Sequence, residues 1–315
     1  MLALGLLLNF AGIGLFCWLI FTLAVYALTF FVGLTVFMLA LHGGAGTLGL
    51  SAARALLEHG ASGLCLWDLE TTLRASQPAI LALAKDFPSQ RVLGISVDVT
   101  SDGSVAEGVQ STVQGLGSLE HMFCFAGIVG CFHAIEMSAE QWRKTLDVNT
   151  TGAFICAQAA AREMAKSQTP GRSITLTASI SAHRVNYPQP QVGYNVSKAA
   201  IVALKSSLAA EWVVHGIRVN SLSPGYMDTI LNAGEGNIQT ARESWASRNP
   251  MGRMGALGEL DGVCVLLASR AGSYVSLNAW FVVSLKNEYA NKRGCTDQRR
   301  RLRCGRRSML FLICS

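Results

Sequence analysis

Tyr194 and Lys198 lie four residues apart within the stretch SITLTASISAHRVNYPQPQVGYNVSKAAI. On a helix that spacing is just over one turn, so the phenol and the ammonium share a face. A cation held beside a phenol favours the phenolate and lowers its pKa, a tenfold change in the ionisation equilibrium being worth about 1.4 kcal/mol. The pair is therefore expected to make Tyr194 a usable acid and base near neutral pH. Ser179 closes the apolar run that opens the same stretch. A serine at the carboxyl end of a strand projects into the crevice where open α/β sheets bind ligands. Its hydroxyl can orient and polarise a carbonyl there.

A second chemistry-bearing segment is GGAGTLG at residues 43–49, between an apolar run and a helix-like stretch. Such a turn brings backbone amides, here those around Gly43, Gly46, Thr47, Leu48 and Gly49, close to a pyrophosphate. The helix N-terminus adds about half a positive charge. The next apolar run, GLCLW, ends at Asp68. About 20 residues beyond the turn, a carboxylate can accept hydrogen bonds from the adenosine ribose hydroxyls. Its charge repels a 2′-phosphate, so NAD is expected over NADP. An ordinary helix N-cap is the other role open to Asp68.

These groups need elements to position them. After residue 34, short apolar runs alternate with helix-like stretches, the pattern of repeated βαβ units and a parallel sheet. Strands are expected at 36–41, 63–67, 91–97, 121–125, 173–177, 218–222 and 280–283, with helices at 48–59, 71–86, 102–114, 139–165 and 192–215. No Pro-rich or Ser-rich linker and no internal repeat divides them. One α/β domain over 35–285, a doubly wound parallel sheet of the Rossmann type, is the expected architecture.

The two ends differ from this body. Residues 1–53 carry no Asp, Glu, Lys or Arg, and residues 2–41 are apolar apart from Asn9 and a few Gly and Thr. That run exceeds the roughly 20 residues needed to cross a bilayer. Residues 1–34 thus read as an apolar segment with a membrane anchor at 10–33, or as translated non-coding sequence. A signal peptide fits less well, because no basic n-region precedes the run. Residues 286–315 form a basic tail, expected to be disordered, in which nine Lys and Arg face two acidic residues. The rest holds 17 basic and 18 acidic residues, so the net charge of +6 belongs to the tail. A nucleic-acid-binding face would spread over the folded body instead, and that partner class is set aside.

Half of the chain is hydrophobic and 15% is charged, which excludes a disordered or fibrous protein. The nine cysteines form no CxxC pair and no His-interleaved zinc spacing. No metal or disulfide is expected, and Cys65, Cys124, Cys156 and Cys264, within apolar runs, read as buried thiols.

YNVSK, preceded by a strand-end serine and a GGAGTLG loop, resembles the short-chain dehydrogenase/reductase family, over roughly residues 36–276. The resemblance implies further site residues. DVT at 98–100 is similar to the adenine-contacting segment, which adds Asp98 and Val99. FAG at 125–127 stands where the family has NAG, which adds Ala126 and Gly127. Asn149, in VNTTGAF, resembles the family's fourth catalytic residue, which links Lys198 to solvent through a water. SPGYMDT supplies Pro224, Gly225 and Thr229, like the family's PGxxxT segment at the nicotinamide. Tyr194 and Lys198 would also hold the nicotinamide ribose. Ser181 has the family's usual spacing of 13 to the tyrosine and Ser179 stands 15 away. Ser179 is nevertheless chosen, because Ala178, Ser179 and Ala182 fit the family's strand-end frame and the extra residues then fall in VNYPQPQ. That loop resembles the fungal polyol and ketose branch, which includes arabinitol and mannitol dehydrogenases and sorbose reductases.

Several positions depart from the family pattern. His42 replaces a Thr, Thr47 stands where a second Gly is expected, and Phe125 replaces an Asn that braces the central strand. After Tyr274 and Val275 the family's Gly and its DGG ending are missing, which is expected to weaken the last strand and a homo-oligomer contact it often forms. The resemblance implies an NAD(P)-dependent alcohol dehydrogenase or ketone reductase of polyols or ketoses, with Asn149, Ser179, Tyr194 and Lys198 catalytic. The protein would be cytoplasmic, or membrane-anchored if the N-terminal segment is real. The alternatives are a membrane-anchored reductase of steroid, retinoid or other lipid ketones, and a catalytically silent binding or scaffold protein.

Overall fold

The computed structural model describes residues 37–167, 171–185, 189–229 and 238–281. The expected anchor at 10–33 and the tail at 286–315 lie outside these residues. Within them, no helix is long and apolar enough to cross a membrane.

The chain alternates strand and helix in the order expected. β1 (Phe37–His42) leads into α1 (Thr47–Glu58), β2 (Ala61–Asp68) into α2 (Glu70–Asp86), and β3 (Arg91–Ser96) into α3 (Asp102–Leu116). β4 (His121–Cys124) is followed by α4 (Ala139–Leu146) and α5 (Gly152–Lys166), and β5 (Ser173–Thr177) by α6 (Val192–Trp212). β6 (Arg218–Ser223), α7 (Ile238–Arg248), α8 (Asp261–Ala268) and β7 (Ala279–Phe281) complete the fold. The strands form one sheet in the order β3-β2-β1-β4-β5-β6-β7, and every pairing is parallel. This is the doubly wound Rossmann topology. β1 has β2 on one side and β4 on the other, so the direction of winding reverses there and opens a crevice at the carboxyl ends of the strands.

A parallel sheet covered on both faces needs strands apolar on both sides, and the sequence supplies them. Leu64, Cys65, Leu66 and Trp67 of β2 are all buried, as is all of β4. On one face α3, α5 and α6 pack Val105, Cys156 and Ile201 against Trp67, Met122 and Ile174. On the other, α1, α2 and α8 pack Leu56, Leu73 and Cys264 against Leu64 and Phe123. Cys65, Cys124, Cys156 and Cys264 are buried free thiols. The Trp67 indole donates to Thr112 Oγ1 at 2.9 Å, so even its one polar atom is satisfied inside the core.

The helix expected at 139–165 is interrupted by a π-helical turn, Asp147–Thr151. α7 and α8 occupy a stretch for which the sequence pattern predicts no element. Near the end of the described chain, Leu277 adopts φ 66°, the one non-glycine residue with positive φ among the described residues. Its N–H donates to Val219 O at 2.9 Å, and its carbonyl accepts from the buried Lys205 Nζ at 2.7 Å.

Candidate active site

The turn after β1 is built by steric exclusion. Gly43 has φ +69°, and a Cβ there would lie 2.4 Å from Ala126 N. A Cβ on Gly49 would lie 2.5 Å from Gly44 Cα. Glycine therefore lets the turn close on both the segment after β4 and the first turn of α1. Gly46 precedes α1, which opens at Thr47, Leu48 and Gly49, and no side chain caps this N-terminus. Its first-turn N–H groups are left for an external acceptor. This donor set fits the pyrophosphate of a dinucleotide.

Asp68 ends β2 one residue beyond Trp67, the register partner of His42, so it flanks this turn. Its Oδ1 accepts from Leu69 N at 2.9 Å. It does not cap α2, whose N-cap position is Leu69. Arg74, the nearest following base, is paired with Glu70 at 2.7 Å. Asp98 accepts from Thr100 N at 2.9 Å and from Thr100 Oγ1 at 2.7 Å, and these bonds hold its carboxyl below the usual carboxylate range. Val99 is buried against Gly152, where a Cβ would meet its side chain at 2.8 Å. Ala126 and Gly127 follow β4, with Phe125 stacked on Phe123 at 5.8 Å in place of the brace the family's Asn provides.

A cleft of about 350 Å³ opens beside this turn and brings together Leu48, Gly127, Ser179, Tyr194, Lys198, Pro224, Gly225 and Thr229. The backbone beyond β5 is held to that beyond β6, since Ile180 N donates to Pro224 O at 2.9 Å. Ser179 thereby takes its position two residues past β5. Its hydroxyl donates to Ser181 Oγ at 3.1 Å and accepts from Ser181 N at 3.1 Å. Both competing serines line the cleft with Tyr194, and Ser179 is the one that draws the phenol's pKa down. Ser181 receives a further bond from Gln191 Nε2 at 3.3 Å.

Tyr194 and Lys198 share a face of α6, with Lys198 Nζ 5.7 Å from the centroid of the phenol ring. The buried ammonium donates to Thr177 O at 2.8 Å. Asn149 sits in the π-helical turn with both polar atoms of its side chain bonded. Its Oδ1 accepts from Ile128 N at 2.8 Å, while Nδ2 donates to Ile128 O at 2.9 Å and to Ser197 Oγ at 3.0 Å. It thus ties the segment after β4 to the helix that carries Tyr194. A Cβ on Gly127 would lie 3.2 Å from both Asn149 Oδ1 and Lys198 Nζ, so glycine is what admits both groups.

The electrostatics correct one expectation. Burial pushes the Tyr194 phenol above its ordinary value, opposed by the Ser179 hydrogen bond. Burial also lowers Lys198, to about 8. The sequence spacing predicts a depressed phenol, but desolvation outweighs the neighbouring ammonium in the protein by itself. Sequence reasoning also passes over Gln189, Tyr226 and Trp245, which line the same cleft. Gln189 lies in the VNYPQPQ loop and Tyr226 in SPGYMDT, so both are adjacent to recognised signals; Trp245 has none.

A family model described as enoyl-(acyl carrier protein) reductase matches residues 43–282. The chain is 34% identical over 232 residues to the NADP-dependent mannitol dehydrogenase of Hypocrea jecorina, covering 73% of this chain and 83% of that protein. It is 35% identical over 250 residues to the ribulose-forming D-arabinitol 2-dehydrogenase of Candida albicans, covering 75% and 87%. The crystal structure of a short-chain type dehydrogenase/reductase from Mycobacterium marinum matches with a TM-score of 0.73 and 33% identity, over 83% of this chain and 98% of that one. The chain belongs to the short-chain dehydrogenase/reductase family. It is an NAD(P)-dependent oxidoreductase of that family.

Proposed function

We propose that the protein interconverts a secondary alcohol and a ketone in a polyol or ketose, with Tyr194 as the group that moves the hydroxyl proton. The observation that carries this reading is the meeting of Ser179, Tyr194 and Lys198 in one cleft beside the glycine turn. A bound nicotinamide supplies or accepts the hydride at the carbinol carbon. In the direction of reduction, burial keeps the Tyr194 phenol protonated, so its Oη can donate to the carbonyl oxygen. Ser179 Oγ holds and polarises the same oxygen.

Lys198, which lines the cleft, would hold the nicotinamide ribose, and its charge favours proton release from Tyr194 in the direction of oxidation. Asn149 keeps Lys198 and Tyr194 in place through Ser197 and Ile128. Gly43, Gly46, Thr47, Leu48 and Gly49 would hold the pyrophosphate, Asp68 the adenosine ribose, and Asp98 and Val99 the adenine. Ala126, Gly127, Pro224, Gly225 and Thr229 would flank the nicotinamide. The polyol or ketose class is supported by the names of the relatives. The purified protein should change nicotinamide absorbance with xylulose or arabinitol and leave it unchanged with steroid or retinoid ketones. The reverse pattern would replace this reading with the lipid-ketone one.

A further inference from the structure

Gln189, Tyr226 and Trp245 line the cleft but take no part in moving the proton. They come from three separate segments, the loop between β5 and α6, the stretch after β6, and α7. The Tyr226 and Trp245 rings are stacked, 4.6 Å between centroids and 7° between planes. Trp245 Nε1 donates to Gln189 Oε1 at 3.2 Å. The Tyr226 hydroxyl donates to the same oxygen.

An indole N–H can only donate, so the carboxamide atom facing it must be the oxygen. Chemistry therefore sets the amide orientation. Burial pushes the Tyr226 phenol up, so it keeps its proton and stays a donor. With Oε1 held by two donors, the Nε2 hydrogens point elsewhere, and no described residue accepts from them. A pinned amide with two donors that no described residue takes up, beside stacked aromatic rings, suits a substrate that carries hydroxyls along a carbon chain. The N–H groups meet hydroxyl oxygens and the ring faces meet C–H groups. A simple ketone presents one oxygen, which Ser179 and Tyr194 already engage.

We propose that Gln189, locked by Trp245 and Tyr226, determines specificity by donating from Nε2 to a substrate hydroxyl away from the reacting carbon; this rests on the polyol or ketose reading above. A neutral hydrogen bond of this kind is worth about 10-fold in kcat/KM. The test compares xylulose with pentan-2-one, a ketone of equal carbon count without further hydroxyls, on the full chain. Gln189→Leu should lower the ratio of the two kcat/KM values about 10-fold, mostly through KM. Trp245→Phe keeps a ring but removes one of the two donors that hold Oε1, which loosens the amide, and should lower the ratio about 2-fold. Thermal unfolding of each variant shows whether it is folded, and Trp245→Phe decides if Gln189→Leu is not.

Arabinitol binding followed by intrinsic fluorescence gives a readout apart from turnover, and the Gln189→Leu Kd should be about 10-fold weaker. An unchanged ratio or an unchanged Kd overturns the role of Gln189 while leaving the polyol reading standing. A wild type that favours pentan-2-one over xylulose overturns the polyol reading itself, and the role of Gln189 with it.

Discussion

Lys198 Nζ lies 5.7 Å from the centroid of the Tyr194 ring and gives its hydrogen bond to Thr177 O. The ammonium therefore faces the tyrosine ring across space and makes its hydrogen bond elsewhere. In the absence of ligand the dominant influence on the phenol is burial, which keeps it protonated.

Tyr194→Phe should then remove the proton-transfer group with little other change. Turnover is expected to fall by about 10² to 10⁴, the usual contribution of a general acid or base. Dinucleotide binding, followed by nicotinamide fluorescence, should stay within about 3-fold of the parent. In the free protein, the tyrosinate signal lost in Tyr194→Phe should belong to a group ionising above the ordinary phenol value of 10.0. Ser179→Ala should push that ionisation higher still, since the bond it removes favours the phenolate. A phenolate already present near neutral pH in the free protein would contradict this account.

Lys198 yields a stability prediction with a definite sign. Its folded value of about 8 lies below the ordinary 10.5 because burial disfavours the charge. Between those two values the unfolded chain binds a proton that the folded chain lacks, so stability rises with pH across that window. The slope contributed by one such group reaches about 1.4 kcal/mol per pH unit. Urea unfolding of the parent and of Lys198→Met at a series of pH values isolates this contribution. The parent should gain on the variant as pH rises through the window, and a constant gap would refute the buried-cation assignment.

Much of the scaffold was legible because burial on both faces of a parallel sheet leaves continuous apolar runs. GLCLW marked β2 and led to Asp68, and SITLT marked β5 and led to Ser179. The glycine turn was legible for a related reason, since Gly43 and Gly49 sit where a Cβ would strike backbone. The π-helical turn at Asn149 was not, because 139–165 has no Pro and its one glycine, Gly152, is tolerated inside a helix. α7 carries no such mark, because its residues are polar with no clear apolar stripe, and nothing in the pattern places Trp245 near the cleft. The direction of the Tyr194 shift is hidden for a physical reason. Spacing reports proximity to Lys198, but desolvation depends on everything packed around the phenol.

Asp68 should govern the choice between NAD and NADP. Its carboxylate flanks the glycine turn, and Arg74, which would otherwise welcome a 2′-phosphate, is paired with Glu70 at 2.7 Å. The parent should bind NAD more tightly than NADP. Asp68→Ala removes the repulsion and should narrow the ratio of the two Kd values by about 10-fold, a like-charge penalty of ordinary size in a partly solvated site. A parent protein that prefers NADP, as the name of the Hypocrea jecorina relative describes that enzyme, would show that Asp68 does not read the ribose.

Leu277 offers a gain in stability. Its φ of 66° lies in the left-handed region, which costs a residue with a Cβ roughly 1 to 2 kcal/mol. The conformation is held from both sides, by the bond from its N–H to Val219 O and by the bond from Lys205 Nζ to its carbonyl. The backbone therefore cannot relax without breaking one of them. The residue is 53% exposed, so only part of the burial of a leucine is lost on removing its side chain. Leu277→Gly relieves the strain but adds freedom to the unfolded chain, an opposing effect of about 0.4 to 1 kcal/mol. The balance favours the variant by about 0.5 to 1 kcal/mol. Urea unfolding should show a higher midpoint with an unchanged m-value. A lower midpoint would mean that contacts of the leucine side chain outweigh the backbone strain.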